Sequence, residues 1–174
     1  MGSRESTHAG EVNSRRPRWR ELLTALAFVV GVNAVGAAPA LLGGPNSAWF
    51  QTLEKPAFYP PGWLFGVVWT ILFTLLGVAC YLVYRRGLER RAVRLALGAF
   101  VVQMVVNVTW TPTFFTLQAP LLALGIVAVL FVLVAATIAA FARVDRLAAV
   151  LLVPYLLWVG FATVLNYAIW SINA

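Results

Sequence analysis

Five stretches of this 174-residue chain run for more than twenty residues without a charged side chain: 22–42, 63–84, 95–117, 120–141 and 147–169. About 20 apolar residues, rising about 1.5 Å each in a helix, cross a hydrocarbon core of about 30 Å. The pattern therefore predicts an all-α membrane protein, a bundle of five transmembrane helices, with no residues left over for a second domain. Polar breaks separate the spans. Most are short, but the break at 43–62 is long and carries its own apolar set, Trp49, Phe50, Leu53, Phe58 and Tyr59. Loops of that length are usually functional or disordered, and this one is expected to fold over the bundle as a lid.

Polar and aromatic residues inside the spans are not scattered. From Lys55 to Phe73 the chain reads KPAFYPPGWLFGVVWTILF. Pro56, Pro60 and Pro61 forbid a helix before Gly62, because proline lacks a backbone donor and holds the residue before it extended. Beyond Gly62, Phe65, Trp69 and Phe73 recur every fourth residue and share a helix face. In the third span Gln103, Asn107, Trp110 and Phe114 form one stripe, and amides in hydrocarbon need partners, which turns that stripe inward. Pro112, flanked by Thr109 and Thr111, marks an irregularity there. In the fifth span Pro154, Trp158, Ala162, Leu165 and Asn166 share a face. The first span carries Asn33 and the small run Gly36–Pro39, which opens a groove and bends the helix. The fourth is nearly featureless apart from Ala135, Ala136, Ala139 and Ala140, whose spacing suits close helix packing. Counted along the helices, these residues converge on one level beneath the long loop. An apolar cavity with a few convergent polar groups, closed by a loop, is the general form of a small-molecule site. Trp19, Trp49, Trp63 and Trp170, near span ends, read instead as an interfacial belt.

Composition agrees with the spans: 61% of residues are hydrophobic and 11% charged, with a mean hydropathy of +0.85. The net charge of +7 is a topological signal. Twelve of the thirteen basic residues precede the first span or lie between spans 2 and 3 or 4 and 5, and Lys55 stands alone on the other side. The amino terminus is thus expected in the cytoplasm, with the carboxyl terminus and loop 43–62 outside. The arginines are accounted for in this way, and no nucleic-acid partner is read from them. Residues 1–21, polar and basic, read as a disordered tail. Its lone His8 and the single Cys80 make no metal constellation. All six acids and all thirteen bases lie outside the spans, which speaks against acid–base catalysis and against ion-coupled transport.

The stretches Trp49-Phe-Gln-Thr-Leu-Glu-Lys-Pro56, Pro60-Pro-Gly-Trp63 running on to Trp69, Gln103-x-x-x-Asn107-x-x-Trp110-x-Pro112-x-Phe-Phe115 and Val153-Pro-Tyr-Leu-Leu-Trp158-x-x-Phe-Ala162-x-x-Leu-Asn-Tyr167 resemble the translocator protein family (TspO, also called the peripheral benzodiazepine receptor). The resemblance spans about residues 22–173. It implies a five-helix bundle, commonly a homodimer, that binds porphyrins such as protoporphyrin IX and, in some members, sterols and benzodiazepine-type compounds. No obligatory cofactor or metal is implied. Carried onto this chain, it points to Trp69, Asn107, Trp110, Phe114, Trp158, Ala162 and Leu165 as pocket walls, with Phe65, Phe73 and Asn166 on the same faces. Trp49, Phe50, Lys55, Pro60 and Pro61 belong to the lid. The implied role is that of a sensor, scavenger or carrier of tetrapyrroles. The alternatives are light-dependent porphyrin degradation with Trp69 as participant, and passive transport of a lipophile or sterol. Two departures stand out. No basic residue follows Tyr167 within five positions, where the family's sterol motif needs one, and Gly62 stands where some members carry Arg. Lys55 is then the outer cation expected to meet a porphyrin carboxylate, and Asn107 or Asn166 the amide expected at a polar edge.

Overall fold

The computed structural model of the protein describes residues 18–174, and among these every regular element is helical. Helix α1 (Arg18–Ala37) runs into a 3-10 turn (Ala38–Leu41), and a short helix α2 (Ala48–Thr52) lies within the long loop. Helices α3 (Gly62–Tyr84) and α4 (Arg91–Thr111) follow, α4 ending in a π-helical turn (Pro112–Thr116). Then come α5 (Pro120–Ala142), α6 (Arg146–Leu151) and α7 (Val153–Asn173). Five segments are long and apolar enough to cross a membrane: α1 with its 3-10 turn, α3, α4 with its π turn, α5, and α6 with α7. Around the bundle α1 packs on α3, α3 on α6, α6 and α7 on α5, and α5 on α4, which touches α1 and closes the ring.

The helices extend beyond the charge-free runs, α4 beginning at Arg91 rather than 95 and α7 ending at Asn173 rather than 169, and three features of the spans have a local reason. Helix α1 begins at Arg18, so residues 18–21, assigned to the tail, form its first turn. Arg and Glu are good helix formers, and hydrophobicity marks what sits in hydrocarbon rather than where backbone hydrogen bonding stops. The rest of the tail, residues 1–17 with His8, lies outside the described residues. The fifth span is two helices that meet at Leu152, because Pro154 has no N–H to offer the preceding turn. The third span changes to a wider turn at Pro112, as its threonines suggest.

At the arginine-rich end the helices are tightly packed. A side chain on Gly77 would put its Cβ 2.6 Å from Val29 Cα, so glycine is what lets α1 and α3 touch backbone to backbone. Leu76, Val83, Val93, Val134, Phe141 and Leu152 are fully enclosed, and Phe100 stacks on Phe141. Asn33 donates to the Val29 carbonyl (2.9 Å) and to Thr74 (3.2 Å), tying α1 to α3 just above this core. Across the loops, Arg86 Nη2 donates to Asp145 Oδ2 at 2.6 Å, while Asp145 Oδ1 caps α6 by accepting from the Ala148 N–H at 3.1 Å. Burial pushes the Asp145 carboxyl up, but these hydrogen bonds and the Arg86 charge outweigh it and hold the group below the usual carboxylate range.

Candidate functional site

At the opposite end the same helices enclose empty space. Pro61, extended at φ −54° and ψ 137°, is the last residue before α3, and its carbonyl accepts from the Leu64 N–H at 2.9 Å. Starting the helix there sets Phe65, Trp69 and Phe73 on its inner face. On α4, Pro112 breaks the hydrogen-bond ladder and Thr113 Oγ1 bonds the Thr109 carbonyl (2.7 Å). The wider π turn that follows turns the consecutive rings of Phe114 and Phe115 both inward, which a regular helix does not do for neighbours. Helix α2 is capped by Ser47, whose hydroxyl accepts from the Phe50 N–H, and seats Phe50 against Tyr59, Phe114 and Phe115. The lid is fastened at its far side by Asn173, whose side chain bonds both the N–H and the carbonyl of Glu54 (each 2.9 Å).

Beneath the lid lies a cavity of about 620 Å³. All ten residues expected in the pocket wall line it: Phe65, Trp69, Phe73, Asn107, Trp110, Phe114, Trp158, Ala162, Leu165 and Asn166. Their rings support one another, Trp69 stacked on Phe73 (centroids 5.1 Å apart), Trp110 on Phe114 (5.2 Å) and Phe65 edge-on to Trp158 (5.8 Å). At the floor Asn107 Nδ2 donates to the Tyr155 hydroxyl (2.8 Å), which donates to Gln103 Oε1 (3.0 Å). The cavity reaches the surface along the seam between the end of α1 and the start of α3. There Ala37, Ala40, Gly62, Gly66 and Thr70, small and exposed, line it, and the Phe73 ring covers Gly36.

Two residues expected to meet a ligand are held by contacts within the protein. Lys55 does not line the cavity. Its ammonium donates to the carbonyls of Phe50 (3.0 Å) and Leu53 (2.9 Å) and sits 4.9 Å from the Phe50 ring centroid, so it closes the end of α2. A lysine at a helix C-terminus is drawn to the free carbonyls, and that local partner wins over a distant site. Asn166 lines the cavity, but its amide is engaged, accepting from Trp110 Nε1 (3.0 Å) and donating to the Pro120 carbonyl (2.8 Å). It orients Trp110 instead of offering a free polar edge. Of the remaining lid residues, Phe50 lines the cavity, Trp49 packs edge-on against Phe114, and Pro60 and Pro61 act through the backbone. The sequence reading missed Tyr59 and Phe115 as wall residues, although both belonged to quoted motifs, and Val127 and Leu130 on α5, which look like any other aliphatics there. Burial pushes the Tyr59 phenol up, so it stays neutral.

A family model described as the TspO/MBR family matches residues 25–171. The chain belongs to the TspO/MBR family. Among curated relatives, the "Tryptophan-rich protein TspO" of Chlorobaculum tepidum is 40% identical over 156 residues, covering 88% of this chain and 98% of its own. The "Tryptophan-rich sensory protein" of Cereibacter sphaeroides is 37% identical over 148 residues (85% and 90%). The human "Translocator protein" is 38% identical over 132 residues (75% and 78%). With five apolar helices, this TspO/MBR chain is an integral, multi-pass membrane protein.

Proposed function

We propose that this protein is a membrane receptor or carrier that holds a porphyrin in the cavity beneath α2. The observation that carries the reading is the cavity itself. Its size lies within the range of about 300–1,000 Å³ common to small-molecule sites, and its walls are stacked or edge-packed rings with an amide at the floor. A porphyrin is a flat aromatic disc, and ring-on-ring contacts contribute about 0.5–1.5 kcal/mol each beyond area burial. The names of the relatives, a sensory protein and a translocator, fit a role in sensing or carrying. Titration of the purified protein with protoporphyrin IX, followed by tryptophan fluorescence, tests it. Saturable quenching at micromolar concentrations or below is expected, and quenching that only tracks partition into detergent would refute the reading.

We place the arginine-rich end in the cytoplasm and the lid outside, on the charge bias between loops. A cysteine at Ala57, exposed in the lid, should react with an impermeant thiol reagent added to intact cells, and one at Leu88, exposed in the opposite loop, should not. The reverse labelling pattern rejects this orientation.

A further inference from the structure

None of the thirty residues that wall the cavity carries a charge. The lid segment 43–62 holds one acid and one base, Glu54 and Lys55, which cancel. Lys55 is also held in place by two carbonyls and the face of a ring. Drawing it to a ligand would release the carbonyls that end α2, and an ion pair at an exposed mouth returns little. The next cation along α3 is Arg85, sixteen residues beyond Trp69, or about 24 Å at 1.5 Å per residue, far outside contact. An ionised carboxylate drawn into this cavity would lose its water and gain no counter-charge.

We infer that the site recognises the uncharged ring surface of its ligand, and that the carboxylates of an acidic tetrapyrrole add nothing to affinity and stay hydrated at the mouth. The ligand class is thus a neutral or edge-charged flat aromatic lipophile, read by its face. This rests on the cavity being the tetrapyrrole site. Two further features favour it. The seam open between α1 and α3 is bordered by glycine, alanine and threonine beside the exposed Trp63, and these small residues leave room for a charged edge to reach the surface while the ring stays among Trp69, Trp110 and Trp158. Three side-chain amides and one indole on the wall are already turned to the protein: Trp110 Nε1 donates to the Asn166 amide, which donates to the Pro120 carbonyl, Asn107 Nδ2 bonds Tyr155, and Asn33 Nδ2 bonds the Val29 carbonyl and Thr74.

The full-length protein is titrated with protoporphyrin IX and with its dimethyl ester at 50 mM and 500 mM NaCl, with partition into protein-free detergent subtracted. The same titrations are made with Lys55→Gln. The ester is expected to bind as tightly as the free acid to within threefold, or more tightly. The affinity for the acid should move less than twofold with salt, and Lys55→Gln should change both ligands by the same factor, because it acts through the lid alone. A free acid bound more than threefold tighter than the ester, or weakened twofold or more by salt, overturns the inference. A preference for the acid that disappears in Lys55→Gln would overturn it too and would identify Lys55 as the missing counter-charge. If neither ligand saturates, the tetrapyrrole reading of the cavity fails instead.

Discussion

Phe141 and Trp158 are large rings on helices of one bundle, and they do different work. Phe141 is fully enclosed, stacked with Phe100 at the arginine-rich end, where Gly77 lets α1 and α3 meet. Trp158 is part-exposed to the cavity at the lid end, touching Phe65 and Phe161 edgewise or tilted. Both halves are apolar and helical, so composition does not distinguish them. The difference lies in whether neighbouring side chains fill the space between rings. Where they fill it, aromatics stabilise the fold; where they leave it open, the same residue type forms a wall for something else.

Deleting one ring from each half should separate these roles. Phe141→Ala removes a side chain that nothing can replace and should cost about 3–5 kcal/mol of stability, read as a large drop in thermal midpoint in detergent. Trp158→Ala opens a space that is already partly empty. Its stability loss should be clearly smaller, while porphyrin affinity should fall by about 1–3 kcal/mol. Equal stability losses in the two variants would show that the cavity is as tightly packed as the core.

Glycines sharpen the comparison. Gly77→Val drives a branched side chain into the Val29 backbone, and overpacking of this kind costs about 1–3 kcal/mol or more. A Cβ at Gly66 meets nothing within 4 Å, so Gly66→Val should leave the thermal midpoint nearly unchanged. Because Gly66 borders the seam that opens the cavity, its substitution should instead slow porphyrin association in stopped flow. A normal on-rate would mean that ligand enters by another route.

Much of this division was legible in the sequence. The five spans, the start of α3 at Gly62 and the faces carrying Trp69, Asn107, Trp110 and Trp158 follow from charge-free runs, prolines and helical spacing. What spacing does not reveal is where a side chain finds its partner. Lys55 was expected at a porphyrin carboxylate because it is the lone cation on its side of the bundle, yet the carbonyls of its own lid capture it. Asn166 looked like a ligand donor, and across the bundle it meets Trp110 and the Pro120 carbonyl. Tyr155, the largest fully buried side chain, drew no notice, because its partners Gln103 and Asn107 are about fifty residues away in the chain. Hydrophobic residues on α5 carry no mark of whether they face a ring or a void.

The lid end should also respond to smaller changes. Phe50 is too enclosed to act as a simple cover, and its loss should loosen α2 itself. Trp49 is the better probe: it packs on Phe114 from outside, so Trp49→Ala should leave the fold intact. Removing one edge contact worth about 0.5–1.5 kcal/mol should speed porphyrin release by up to about tenfold, because the closed lid alone loses contacts. An unchanged off-rate in a folded variant would mean that α2 does not gate the cavity.

The smallest effect belongs to the packed end and depends on pH. Asp145 is buried and bonded to Arg86 and to the α6 N-terminus, which holds its carboxyl below its ordinary value. A carboxyl depressed by folding stabilises the folded state above its unfolded pKa, about 3.9, and loses that contribution as pH falls through the folded value. Arg86 is half-exposed, so solvent screening keeps the pair's contribution to roughly 1 kcal/mol or less. Asp145→Asn is the clean comparison, since asparagine also caps helix N-termini well and only the charge is lost. Between pH 5 and 7 the native protein should therefore melt slightly above Asp145→Asn, and the gap should close below about pH 4, where the native carboxyl takes up its proton. Porphyrin affinity at pH 7 should be the same in both, because Asp145 lies at the end of the bundle away from the cavity. No gap between pH 5 and 7 would show that shape and capping, not charge, hold these two loops together.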